Sequence, residues 1–129
     1  MALDEALSHL QTHTGLGAER LKSDVNERWA VERGLQLCVQ NVLDIATHLA
    51  ASAGHDVSDY ASSIDQLGTL GILPAALARD LRPLAGFRNA LVHGYLQIDV
   101  DRVHAVLNQH LDQLREFAGH IQAHLASRS

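Results

Sequence analysis

The chain has a single cysteine, Cys38, which excludes an internal disulfide and is compatible with a reducing cytoplasm. Aromatic residues are scarce as well, at 4%, although 47% of the residues are hydrophobic. The core must then come from Leu, Ala, Val and Ile, which suits packed helices better than a β-sandwich. Two prolines and nine glycines leave long segments without breakers. No run of about 18 consecutive apolar residues occurs, so no transmembrane helix is expected. The amino terminus, MALDEALSHL, has acids and no basic stretch, so it does not read as a signal peptide and the expected location is cytoplasmic.

Positive charge is also in deficit. Ten Lys and Arg face fifteen Asp and Glu, a net charge of −5 with histidine neutral. That balance argues against a broad nucleic-acid-binding surface, which normally shows an excess of cations. A local basic site remains, because Arg79, Arg82 and Arg88 fall within ten positions.

What is present is helical periodicity. Residues 1–129 fit one all-α domain, and a single four- to five-helix bundle is the simplest arrangement. Leu3, Leu7 and Leu10 give a first helix over 3–13, ended by Gly15 and Gly17, with a further turn over 18–22. Asp24, with Glu27 three positions on, has the form of an amino-terminal cap for a long helix reaching about Ala53. Gly54-His55-Asp56 breaks it, Ser58 is the candidate cap of a helix through Leu70, and Gly71 ends that one. Leu73-Pro74 opens another helix with proline in its favoured first turn. Pro83 either kinks this segment or begins a second helix capped by Asp80, stopping near Gly94. Leu96-Gln97-Ile98 is a short connection. Asp99 then caps a last helix with Val100, Val103, Leu107, Leu111, Leu114, Ala118, Ile121 and Leu125 on one face.

Chemistry concentrates between Phe87 and Tyr95, where Arg88, Asn89, His93 and Tyr95 are interleaved with Ala90, Leu91 and Val92. On a helix, Asn89 and His93 are four apart and share a face. Arg88 lies roughly 140° around the axis from His93, so one helix does not bring both onto one line, whereas pairing with its copy across a two-fold axis could. The same residues also suit an ordinary solvated helix end.

The run Arg88-Asn89-Ala90-Leu91-Val92-His93-Gly94-Tyr95 resembles the Arg-x4-His-x-Tyr signature of HepT toxins within the HEPN superfamily. The resemblance extends over residues 27–107. Ala30-Val31-Glu32-Arg33-Gly34-Leu35-Gln36-Leu37 and Asn41-Val42-Leu43-Asp44-Ile45-Ala46-Thr47-His48-Leu49 are similar to that family's long helix. Gly71-Ile72-Leu73-Pro74 and Leu84-Ala85-Gly86-Phe87 resemble its approach to the signature, and Ile98-Asp99 its exit. Gly94, where an acidic residue is common, and Pro83 depart from the pattern.

The resemblance implies a HEPN-type bundle that dimerises, and a toxin of a type VII-like toxin–antitoxin system. Its activity would be metal-independent RNA cleavage through the ribose 2′-OH, with no cofactor. In that scheme His93 moves protons, Arg88 grips the scissile phosphate and Asn89 orients one or the other. It also implies a nucleotidyltransferase antitoxin of the MNT type that transfers AMP from ATP onto Tyr95. The alternatives are a tyrosine that only packs over the motif, and a catalytically silent HEPN module that dimerises and binds a nucleotidyltransferase. A helical interaction protein with no link to nucleotides is the third reading.

Other residues carry weaker signals. His9 with His13, and His120 with His124, are helical pairs with metal-ligand spacing, but nothing completes either set, and no metal site is expected. Cys38 reads as a buried core thiol and Trp29 as a core or dimer-seam residue. Asp44 either faces the motif or is solvated.

Overall fold

The computed structural model describes residues 2–15, 17–55, 59–93 and 99–127, and among these every regular element is an α-helix. In chain order they are α1 (Ala2–Gln11), α2 (Ala18–Ser23), α3 (Val25–Ser52), α4 (Tyr60–Thr69), α5 (Ala75–Leu81), α6 (Leu84–His93), α7 (Val100–Gln109) and α8 (Leu111–Ser127). With α2 set aside as a short turn, and with α5–α6 and α7–α8 taken as bent pairs, this is a five-helix bundle. No helix among the described residues is long and apolar enough to cross a membrane.

The bundle is organised on α3, whose 28 residues span about 42 Å at 1.5 Å per residue. Its start is fixed as the sequence predicts: the Asp24 carboxylate accepts the Glu27 N–H at 3.1 Å. Leu35, Cys38, Val39, Val42, Leu43 and Ala46 form one fully buried face. Leu3, Leu7 and Leu10 of α1, Ile64 and Leu67 of α4, Leu84, Phe87 and Leu91 of α6, and Phe117 of α8 close over the core. Burying a side chain the size of Phe117 stabilises the fold by about 1.5–3 kcal/mol. The turns after α3 and α4 place Gly54 at φ 87° and Gly71 at φ 76°, a left-handed backbone that side-chain-bearing residues avoid.

Several local expectations need correction. The cap of α4 is Asp59, whose carboxylate accepts the Ser62 N–H at 2.7 Å; Ser58, Asp56 and the connection 96–98 lie outside the described residues. Pro74 caps α5 from just outside its first turn. Asp80 caps nothing, since it sits in the last turn of α5, and Arg82-Pro83 separate α5 from α6 as two helices. Asp99 does cap, accepting the Asp101 N–H, but the last helix breaks at His110. There the N–H reaches the Val106 carbonyl while the carbonyl accepts from Leu114, so the chain bends within one residue. Leu107, Leu111 and Leu114 all stay buried across the bend, which is why spacing alone could not reveal it. Leu125 is 50% exposed near the end of α8, and Trp29 is 62% exposed, so neither belongs to the core.

Candidate active site

Helix α6 is anchored by Leu84, Phe87 and Leu91, all buried. That leaves the intervening positions Arg88 and Asn89 on the side next to α3 and α4. Arg88 is half-buried and held on three sides. Its Nε donates to Gln40 Oε1 at 2.8 Å, its Nη1 donates to Asn89 Oδ1 at 3.0 Å, and its guanidinium lies 5.4 Å from the centre of the Tyr60 ring. Gln40 is itself oriented, its Nε2 donating to Asp44 Oδ1 at 2.8 Å and to the Tyr60 hydroxyl at 3.3 Å. A carboxylate can only accept, so Asp44 draws the amide nitrogen toward itself and turns the Gln40 oxygen to Arg88. Asp44 thus faces the motif through one intermediary.

Among the described residues no carboxylate pairs with Arg88, and its hydrogen-bond acceptors, Gln40 and Asn89, are neutral. The other two arginines of the predicted basic cluster differ. Arg82 pairs with Asp65 at 3.1 Å and Arg79 with Asp80 at 3.9 Å, both at the surface. One of three cations therefore keeps its charge available for an anion.

Of the expected site residues, Arg88 and Asn89 are brought into direct contact, and His93 closes the same helix. The side chain of His93, with Gly94 and Tyr95, lies outside the described residues. Gln40 and Tyr60 belong to the site and were not anticipated. The one signal for Gln40 is its place four residues before Asp44 on α3.

A cleft of about 490 Å³ opens beside this network between α3, α4 and α6, lined by Thr47, Asp59, Tyr60, Ala61, Gly86 and Asn89 among others. The hydrogen bond from the Ser62 N–H to Asp59 holds that carboxyl below its ordinary range, so it stays ionised at the rim.

The remaining candidates are structural. Cys38 is buried, and desolvation pushes its thiol up to about 12, far from a reactive thiolate. His9 and His13 meet edge to face, with ring centres 4.9 Å apart, and His13 Nδ1 lies 2.9 Å from Glu27 Oε2. Among the described residues no three His, Cys, Asp or Glu side chains gather closely enough to hold a metal ion.

Comparison with known proteins agrees with the all-helical fold. A tRNA nuclease HepT from Aphanizomenon flos-aquae is 30% identical over 121 residues, covering 92% of this chain and 82% of that protein. An mRNA nuclease HepT from Shewanella oneidensis is 25% identical, covering 94% of this chain and 91% of its own length. In fold, the chain is similar to a tri-AMPylated HEPN toxin of Shewanella oneidensis solved in complex with an MNT antitoxin. The TM-score is 0.82 at 24% identity, over 95% of this chain and 92% of that one. The family model of ribonuclease HepT-like proteins matches residues 3–121. With a match over nearly its whole length, this chain belongs to the ribonuclease HepT-like family.

Proposed function

We propose that this protein is the toxin of a type VII-like toxin–antitoxin system and acts as a metal-independent endoribonuclease. The observation that carries the reading is Arg88, a half-buried cation oriented by Gln40, Asn89 and Tyr60 and left without a carboxylate partner among the described residues. Such a group is organised in advance for a phosphate, whose oxygens match its forked donors. The HepT relatives described as tRNA and mRNA nucleases support RNA as the substrate.

In the proposed reaction the ribose 2′-oxygen attacks phosphorus, the bond from phosphorus to the 5′-oxygen breaks, and a 2′,3′-cyclic phosphate is left. A base takes the 2′-OH proton and an acid supplies one to the departing 5′-oxygen. Imidazole titrates near neutrality, so His93 from each of two protomers can divide these tasks. Arg88 stabilises the extra charge on the phosphate, and Asn89 both holds Arg88 and orients the reacting groups. The need for a 2′-OH distinguishes RNA from DNA.

Positions 88 and 93 sit roughly 140° apart on α6, which motivates a homodimer with the two motifs facing each other. Exposed Val25, Trp29 and Leu37 support the seam. They share about one third of the α3 circumference with Gln40 and Asp44, at 100° per residue. Light scattering at micromolar concentration is expected to give twice the 14.0 kDa chain mass. A monomer would remove this geometry.

The cognate partner in this reading is an MNT-type nucleotidyltransferase that adenylylates Tyr95. The Shewanella toxin described as tri-AMPylated in complex with its antitoxin supports it by analogy.

Gln40 tests the role of Arg88. Gln40→Leu removes a hydrogen bond to a charged group and is expected to slow RNA cleavage about 10- to 100-fold. In an Arg88→Ala background the same change is expected to cost nothing more. Equal losses in both backgrounds would show that Gln40 does not act through Arg88.

A further inference from the structure

We infer that the cleft between α3, α4 and α6 is a nucleobase site, seating the base of one nucleotide that flanks the phosphate gripped by Arg88. The inference rests on the ribonuclease reading and adds to it the part of the substrate that lies next to the reacting phosphate.

Position is the first argument. Tyr60 and Asn89 line the cleft and also hold Arg88, one beneath its guanidinium and the other accepting from Nη1. A phosphate on the outer edge of Arg88 therefore has its own nucleoside at the mouth of the cleft. The lining chemistry is the second. Its described lining residues include no Lys or Arg, and Asp59 carries a negative charge, so they disfavour a phosphate. It offers an aromatic ring and small apolar surfaces at Ala61 and Gly86, with polar groups at the edges. A flat heterocycle with donors and acceptors on its rim matches that set. Asn89 Oδ1 is taken by Arg88, which turns its Nδ2 donor away from the guanidinium, while Asp59 supplies acceptors. The volume of about 490 Å³ lies within the range of small-molecule sites.

Gly86 is the third argument. It is exposed in the first turn of α6, where glycine has more backbone freedom to lose than alanine. A Cβ there would meet no atom of a described residue within 4 Å, so their packing does not require glycine. Its effect is to keep the wall of the cleft open for a ligand to approach the backbone.

The test uses the full-length protein and a labelled single-stranded RNA carrying 2′-O-methyl groups, which blocks cleavage. Gly86→Ala is expected to melt no lower than the parent, since a Cβ there meets no described atom within 4 Å, and the melting curve of Gly86→Phe, recorded beside it, checks that this variant is folded. Gly86→Ala adds one methyl to the cleft wall and should weaken binding of this RNA, by less than Gly86→Phe does. Gly86→Phe fills the cleft and should weaken binding about tenfold or more, the scale of one stacked base. An abasic substitution beside the mapped cleavage position should cost the parent a similar factor and cost Gly86→Phe nothing further. If Gly86→Phe binds as tightly as the parent, or the abasic loss is the same in both, the cleft is not a base site. A parent protein that cleaves RNA while Gly86→Phe is unimpaired overturns this inference alone. A parent that neither binds nor cleaves RNA overturns the ribonuclease reading, and the inference with it.

Discussion

His93→Ala is expected to lower RNA cleavage by about 10²- to 10⁴-fold, the usual cost of losing a positioned proton carrier. Arg88→Ala should reach a comparable loss by a different route, because it removes the cation that meets charge developing on the phosphate. Both substitutions should leave the fold intact. Arg88 is only half-buried, and α6 is anchored by Leu84, Phe87 and Leu91 instead. Circular dichroism and melting unchanged from the parent, with growth inhibition lost on expression, is the expected pattern. Arg88→Lys keeps the charge but loses the forked geometry that reaches Gln40 and Asn89 together, so it should recover little of the rate. A His93→Ala protein that cleaves at the parent rate removes the histidine from the mechanism.

Incubation with the cognate nucleotidyltransferase and ATP is expected to add one or more adenylyl groups to Tyr95 and to silence cleavage. Each adenylyl group would add bulk and negative charge two residues along the chain from His93, where both would oppose an RNA phosphate. Tyr95→Phe keeps the ring and loses the acceptor oxygen. It should cleave RNA like the parent and escape neutralisation, so that co-expression with the antitoxin no longer rescues growth. Intact-mass measurement decides the matter. Tyr95→Phe modified as fully as the parent, or modified parent that cleaves undiminished, rules out control through this tyrosine.

Much of the architecture was legible because it depends on local chemistry. Asp24 with Glu27, and Asp99 before an apolar stripe, announce helix starts that the structure contains. The buried face of α3 follows from the three-and-four spacing of Leu35, Val39, Val42 and Ala46. The bend at His110 left no trace, since the apolar register continues through it. Asp59 was passed over for its neighbour Ser58 because both are good capping residues and only the backbone decides between them.

The candidate-site motif was legible for the same kind of reason, as four chemically capable groups fall within eight positions. Their support was not. Gln40 is 48 residues from Arg88 and 20 from Tyr60, and no local pattern links them. Only the packing of α6 against α3 and α4 brings these side chains together. Trp29, in turn, is a large apolar residue that periodicity assigns to either a core or an interface, and its exposure favours the interface.

The most direct measurement is to digest a defined RNA with the purified protein in excess EDTA and to identify the new 3′ ends by mass spectrometry. Cleavage that persists under chelation, leaves 2′,3′-cyclic phosphate ends and disappears in His93→Ala is the predicted result. Cleavage that requires a divalent cation, or that leaves 3′-hydroxyl ends, would contradict the account.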